Sequence, residues 1–214
     1  MDLWAYEKEL FDQGINIIGG TDEAGRGPLF GPVVAACVVL PKDFVLEGLT
    51  DSKKLSEKKR NIFYDYIINN SIWAVGIIEP EEIDRINIYE ASRKAMIKAI
   101  KKVQKQIDLE YVLSDAMPIN IDIPVKSIIK GDAKSISIAA ASVIAKVTRD
   151  SILYEIDKKY PQYGFANHKG YPTKKHLEAL EKYGLIDGYR KTYGPVKKIL
   201  EMVKWLLEVV MNQS

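Results

Sequence analysis

The chain holds a single cysteine, Cys37, and only two histidines, His168 and His176, in 214 residues. One thiol excludes an intramolecular disulfide, and so few nitrogen and sulfur ligands exclude a Cys/His zinc site. Any metal held here must therefore take oxygen ligands. Cys37 lies within Val-Val-Ala-Ala-Cys-Val-Val-Leu, a setting of core rather than of a nucleophile. No apolar run reaches the roughly 18 residues of a membrane span, and the amino terminus lacks the basic start and apolar core of a signal peptide. A cytoplasmic location with no membrane partner is expected. Internal repeats, low-complexity tracts and Pro/Ser-rich linkers are also missing, so nothing divides the chain and a single domain over residues 1–214 is expected. With 47% hydrophobic and 28% charged residues, the composition fits a globular protein and excludes disorder, collagen and coiled coil.

Net charge is close to zero, at +2, but its distribution is uneven. Residues 126–206 carry 16 Lys and Arg against eight Asp and Glu, and the remainder is net acidic. A basic carboxy-terminal part beside an acidic remainder fits a polyanion held near a carboxylate site, and it equally fits a lysine-rich solvated surface.

The pattern of elements reads as strands, then alternating elements, then helices. Residues 15–20 form a short apolar strand, and 33–40 is a continuous apolar, β-branched run of the kind covered on both faces. Further strands are expected at 72–78, 111–113 and 125–129. Helices are expected at 56–69, at 80–103 with Pro80 in its first turn, and at 135–160. Small residues dominate the first half of that last helix (Ala139, Ala140, Ala141, Ser142, Ala145), which lets it lie close against a sheet. Val196, Ile199, Leu200, Val203, Leu206, Leu207 and Val210 recur at helical spacing and predict a terminal amphipathic helix. The fold class is α/β, with a central mixed sheet.

Chemistry concentrates in three places. In Gly19-Gly20-Thr21-Asp22-Glu23-Ala24-Gly25-Arg26-Gly27-Pro28, two adjacent acids end an apolar strand and meet a glycine-rich turn. Neighbouring strand side chains face opposite sides, so both acids serve one site only where the strand ends or distorts. Gly25 and Gly27 supply freedom for that, and Arg26 offers a planar fork suited to phosphate. Asp115 ends a second strand, where ligands of α/β sheets usually bind, although an Asx turn into Met117-Pro118 is the plain alternative. Asp132 follows Lys130-Gly131 and precedes the small-residue helix, where it also fits a helix N-cap. Asp150 fits a mid-helix ion pair, and Asp51 a loop or cap residue. Oxygen ligands converging from strand ends suit Mg²⁺ or Mn²⁺, and a pair of such ions hydrolyses phosphodiesters. The third place is Asn167-His168-Lys169-Gly170-Tyr171-Pro172-Thr173, inside a cluster of six tyrosines and several lysines. Interleaved aromatics and lysines bind sugars, bases and phosphates, yet most of these tyrosines fit the packing of a helical region.

Taken in order, these segments resemble type 2 ribonuclease H, ribonuclease HII, of the bacterial kind. The resemblance runs from about Ile17 to the last helix. It rests on Asp22-Glu23-Ala24-Gly25-Arg26-Gly27-Pro28, Gly31-Pro32-Val33-Val34-Ala35-Ala36 and Asp51-Ser52-Lys53-Lys54-Leu55. It continues through Glu81-Glu82-Ile83-Asp84, Lys130-Gly131-Asp132, Ala145-Lys146-Val147-Thr148-Arg149-Asp150 and His168-Lys169-Gly170-Tyr171-Pro172-Thr173. It implies an RNase H-like catalytic domain whose helical region, from about 160 to 214, grips the substrate. The implied activity is metal-dependent endonucleolytic cleavage of RNA in RNA–DNA hybrids and at ribonucleotides embedded in duplex DNA, as in ribonucleotide excision and primer removal. By position, the family's catalytic, metal-binding acids fall on Asp22, Glu23, Asp115 and Asp132, with two Mg²⁺ or Mn²⁺ ions as cofactors. The junction-reading motif falls on Gly25, Arg26 and Gly27, and the tyrosine that senses the 2′-hydroxyl on Tyr171, with Lys169 beside it as a substrate-binding residue.

Some features depart from the family. Ser114-Asp115-Ala116 lies in its most variable acid motif, and Tyr189-Arg190-Lys191-Thr192-Tyr193 replaces the common His-Arg-x-Ser-Phe. Only 14 residues precede the first strand, against the sizeable amino-terminal domain of type 3 enzymes. The tail after Trp205 shows no sliding-clamp motif, so a monomer without a clamp partner is expected. Another two-metal nuclease, a non-enzymatic nucleic-acid-binding module and a glycosidase with paired carboxylates are the rival readings. Tyr171, the set of four acids, and Arg26 with the basic half respectively count against them.

Overall fold

A computed structural model of the chain describes residues 2–211. Five strands form one sheet: β1 (Ile18–Ala24), β2 (Val33–Val39), β3 (Ile72–Ile78), β4 (Tyr111–Asp115) and β5 (Val125–Ile128), in the order β3-β2-β1-β4-β5. β1, β2 and β3 run antiparallel, whereas β4 and β5 join parallel to β1. Every residue of β2 is buried, as its apolar run requires. Alternation divides them. Val33, Ala35, Cys37 and Val39 pack with Ala95, Met96 and Ile100 of helix α4 (Ile88–Gln104). On the other face Ala36 and Val38 meet Ala139, Ala140 and Ala141 of helix α5 (Ile136–Lys159), joined by Phe63 and Ile67 of α2 (Glu57–Asn69).

Three elements differ from the sequence expectation. β1 starts and ends later than 15–20, so both acids lie inside it, with Asp22 opposite Ala36 and Glu23 opposite Ala35. Its start is delayed because Ile15 donates to Leu10 in a turn, while Glu110 accepts from the backbone of Asn16 and Ile17. The single helix at 80–103 is two, α3 (Pro80–Ile86) and α4, broken at Asn87. Asn87 adopts φ 68° and its side chain accepts from the amides of Tyr89 and Glu90. A short polar residue that tolerates the left-handed region thus ends one helix and caps the next. An additional helix, α1 (Ala5–Asp12), lies against β4, β5 and the start of α5 through Tyr6, Leu10 and Phe11.

Ser56 caps α2 by accepting from Lys59, 3.3 Å away, despite the missing capping-box acid. Beyond α5 come α6 (Phe165–His168), α7 (Lys174–Tyr183) and α8 (Gly194–Met211). Phe165, Leu180, Tyr163, Tyr189 and Val196 pack with Leu29 and Phe30 of the β1–β2 loop and with Leu153 of α5. The helical region therefore rests directly on the glycine-rich loop. The apolar stripe of α8 docks at Val196, while Val203 and Trp205 are exposed. The side chains of Leu206, Leu207 and Val210 lie outside the described residues. Among the described residues no helix is long and apolar enough to cross a membrane.

Candidate active site

The parallel pairing of β1 with β4 ends at Thr21 opposite Ser114, so the next residues, Asp22 and Asp115, leave the two strands side by side. Asp132 arrives from a 3-10 turn, Gly131–Ala133, between β5 and α5. One carboxylate oxygen of each of Asp22, Asp115 and Asp132 lies within 4.8 Å of the others. The Gly131 amide donates to Asp115 Oδ1 at 2.6 Å, tying the turn to β4. Asp132 is not the N-cap of α5; Ser135 takes that place, its hydroxyl accepting from Ile138.

Burial pushes the Asp22 carboxyl well above the usual carboxylate range, and the charges of Glu23 and Asp115 push it further. Asp132 is raised too, by burial and then by Asp115 and Asp51. Three carboxylates this close together form a site whose charge a cation would satisfy. Their hard oxygens, with no sulfur or imidazole among them, fit Mg²⁺ or Mn²⁺. Lys53 is the near counter-charge: burial works against its ammonium, but Asp22, Asp51 and Asp132 outweigh that and raise it.

Glu23 is not one of these three but lines the same cleft as Asp22. The pairing of β1 with β2 continues undistorted to Ala24 opposite Val34, so alternation sends the Cβ atoms of Asp22 and Glu23 to opposite faces. Glu23 Oε1 accepts from Arg26 Nη1 at 3.3 Å. Burial raises its carboxyl, Arg26 opposes the rise, and the charge of Asp115 still reaches it.

The loop after β1 is held from beneath by two buried arginines. Arg149 of α5 donates to the carbonyls of Phe30, Pro32 and Lys169, each at 3.0 Å. Arg190 donates to those of Gly25, Arg26 and Gly31. Burial lowers the Arg149 guanidinium to about 10, with Arg190 adding to the effect. Gly25 sits at φ 101°, where a Cβ would come 2.2 Å from Arg149 Nε. At Gly27 a Cβ would press the Tyr171 ring at 3.2 Å. Gly25-Arg26-Gly27 and the Gly-Tyr-Pro turn thus meet, and Tyr171 lines a cleft of about 210 Å³ with Asp22 and Glu23.

Two histidines fix the Tyr171 turn. His176 Nδ1 faces the Tyr171 carbonyl at 2.8 Å and must donate to it, which leaves Nε2 to accept from the Tyr189 hydroxyl at 2.9 Å. His168 Nδ1 accepts from the Gly170 amide at 3.1 Å. Burial lowers His176 to about 4, and it is neutral near pH 7.

Lys169 is placed differently from a phosphate-binding side chain. Its ammonium lies 3.8 Å from the Tyr154 ring centroid and donates to the Ala166 carbonyl. Lys53, Arg60 and Lys146 line the cleft in its stead. Asp150 pairs with Lys146 at 2.7 Å and with Arg60 at 3.9 Å, so it orients cations and lies outside the carboxylate cluster. Lys53, Lys146 and Arg149 were within reach of the sequence, since each sits inside a quoted motif; their spacing alone does not say which one faces the acids. A larger hollow, of about 480 Å³, lies at the far end of the sheet around Ile17, Leu40 and Ile107, and its lining includes no acid.

Comparison with known proteins follows the same lines. A family model described as ribonuclease HII matches residues 19–193. A ribonuclease HII of Geobacillus sp. (strain WCH70) is 54% identical over 204 residues, covering 95% of this chain and 73% of the relative. The crystal structure of ribonuclease H2 from Pyrococcus horikoshii OT3 superposes with a TM-score of 0.76 at 27% identity, over 88% of this chain and 99% of that one. The ribonuclease HII of Archaeoglobus fulgidus, solved in complex with PCNA, gives 0.70 at 25% identity over 83% of this chain and 95% of that one. The mixed sheet with its flanking helices is the RNase H-like fold, and by both sequence and structure the chain belongs to the ribonuclease HII family.

Proposed function

We propose that the protein, a divalent-metal-dependent ribonuclease H, cleaves the RNA strand of RNA–DNA hybrids and nicks duplex DNA on the 5′ side of an embedded ribonucleotide. The products carry 3′-hydroxyl and 5′-phosphate ends. The observation that carries this reading is one cleft lined both by Asp22, which belongs to the carboxylate cluster with Asp115 and Asp132, and by the Tyr171 ring seated on Gly27. The first suits phosphodiester hydrolysis, the second recognition of the sugar.

In this reading Asp22, Asp115 and Asp132 hold Mg²⁺ or Mn²⁺, with Glu23 as the fourth carboxylate. When bound, two such ions lower the pKa of an attacking water and steady the leaving oxygen. The chain's own groups do the remaining work. Arg26, half exposed, takes a phosphate oxygen of the scissile strand. Lys53 and Lys146 neutralise the neighbouring backbone. The inward-turned carbonyls of Gly25, Arg26 and Gly31 keep the loop's shape fixed on Arg190, so the loop presents a preformed surface to the ribonucleotide junction. Tyr171 donates to the 2′-hydroxyl. Lys169 acts through its carbonyl, which holds the turn to Arg149. Exposed lysines of the helical region, among them Lys174 and Lys175, grip the duplex backbone, and the protein works as a monomer.

The test compares RNA–DNA hybrid, all-DNA duplex and all-RNA duplex of one sequence, each with Mg²⁺, Mn²⁺ or EDTA. Cutting confined to the hybrid and dependent on metal supports the reading. Equal cutting of the all-DNA duplex, or activity surviving EDTA, overturns it.

A further inference from the structure

Helix α5 begins close behind Asp132, and every donor at its start is met. The Ser135 amide donates to the Gly131 carbonyl at 2.8 Å, and the Ile138 amide to the Ser135 hydroxyl. The other two are met from the amino-terminal segment: Ile136 donates to the Leu3 carbonyl at 2.9 Å, and Ser137 to Glu7 Oε1 at 3.1 Å. Glu7 Oε1 also accepts from the hydroxyls of Ser135 and Ser137, both at 2.6 Å. Glu7 is only 2% exposed, and its Oε2 is buried with no partner.

Ser135 already fills the N-cap of α5, so an Oε1 that accepts from three donors there, the Ser137 amide and both hydroxyls, does more than cap the helix. Oε1 gathers Ser135 and Ser137, and Ser135 in turn closes the turn at Gly131, whose amide is bound to Asp115. Asp132 sits between these anchors, fixed on one side by β4 and on the other by α1. The family model's match begins at residue 19, so Glu7 stands outside it.

We propose that Glu7 is a positioning residue for the metal-binding turn: it clamps the start of α5 so that Asp132 is held against Asp22 and Asp115 before a cation binds. This rests on reading those carboxylates as the metal site. Partners of metal ligands typically contribute about 10- to 100-fold in affinity, and Glu7 acts one bond further out, through Ser135.

The experiment titrates the full chain with Mn²⁺ alone by calorimetry, without substrate. Glu7→Ala is expected to weaken binding roughly tenfold, the lower end of that range. Glu7→Gln, which keeps an acceptor for both serines, stays close to the parent. Ser137→Ala, which removes one of the three hydrogen bonds to Glu7 Oε1 and keeps those from the Ser137 amide and the Ser135 hydroxyl, shows a smaller loss in the same direction. Leu10→Ala removes packing of α1 on Ile18, Leu113 and Ile138 but leaves the Glu7 bonds; it lowers Tm and leaves Mn²⁺ affinity unchanged. In turnover, Glu7→Ala loses kcat at limiting metal and regains it at saturating metal, with KM for the duplex unchanged. Parent-like affinity in Glu7→Ala, or an equal loss in Leu10→Ala, overturns the proposal while leaving the metal site intact. If Glu7→Ala fails to fold, Glu7→Gln and Ser137→Ala decide, and parent-like affinity in Ser137→Ala overturns it. A parent that binds no Mn²⁺ at all overturns the reading of the site itself.

Discussion

Asp22→Asn is expected to stabilise the protein in EDTA and to abolish most of its turnover. The variant keeps the shape of the side chain but removes one of three charges whose oxygens lie within 4.8 Å of one another. At that separation and an effective dielectric of about 20, each like-charge pair opposes folding by roughly 3 kcal/mol before solvent reduces it. Solvent screens part of this repulsion, so a net gain of about 1–3 kcal/mol is the expected scale. For a chain of this size that corresponds to a rise in Tm of roughly 2–12 °C. The pH dependence has a definite sign. The folded pKa of Asp22 lies above its unfolded value, so the parent regains stability as pH falls through that folded pKa, and the gap to the variant closes. Adding Mn²⁺ reverses the order, because ligand binding stabilises the parent by about 2.7 kcal/mol at a hundredfold excess over Kd and the variant by less. Differential scanning fluorimetry across pH 5–8, in EDTA and in Mn²⁺, reads all of this. A variant that melts below the parent in EDTA at neutral pH would show that Asp22 is structural and refute the reasoning.

Tyr171→Phe should lose roughly ten- to a hundredfold in preference for a ribonucleotide over a deoxyribonucleotide, the cost of about 1–3 kcal/mol for one unmade hydrogen bond, and Tyr171→Ala more; calorimetric Mn²⁺ affinity should not change. If Tyr171→Ala discriminates as well as the parent, the ring only packs. Gly27→Ala, whose Cβ would sit 3.2 Å from the Tyr171 ring, should displace the ring and reduce cutting at single ribonucleotides more than on long hybrids; equal loss on both substrates would contradict this. Arg149→Lys leaves a point charge where a fork spans three carbonyls, and urea melts should show a loss of about 3 kcal/mol or more. His176 is buried neutral with a folded pKa of about 4, below its unfolded value, so stability is full above pH 6.5 and falls by up to about 3 kcal/mol as pH drops toward 4. An NMR titration placing His176 at or above 6.5 would remove that expectation.

Strong local patterns were legible in the sequence: the apolar run of β2, the small-residue face of α5, the core setting of Cys37. The break at Asn87 was not, because α3 and α4 share one continuous amphipathic pattern and the residue dividing them is a common surface asparagine. Helix α1 was missed for another reason. Its main polar anchor, Glu7, reads as an ordinary charged residue until the serines of α5 are brought to it from far along the chain. At the site, the placement of Asp115 beside Asp22 could be expected from strand ends, and that of Asp132 from its motif. The pairing of Glu23 with Arg26 and of the Lys169 ammonium with the Tyr154 ring follows from contacts that motif spacing does not carry. The anchoring role of Arg149 and Arg190 depends on carbonyls of a loop distant in sequence, and spacing carries no sign of it.

The central claim is that one cleft joins a carboxylate metal site to a sugar-reading tyrosine. It is tested most directly by mapping the nick in duplex DNA that contains one ribonucleotide, in the presence of Mn²⁺, at single-nucleotide resolution and with analysis of both ends. The account expects one cut, on the 5′ side of the ribonucleotide, with a 3′-hydroxyl and a 5′-phosphate, absent in EDTA and absent from the all-deoxy duplex. Cuts scattered through the deoxyribose backbone, or a 2′,3′-cyclic phosphate end produced without metal, would contradict it.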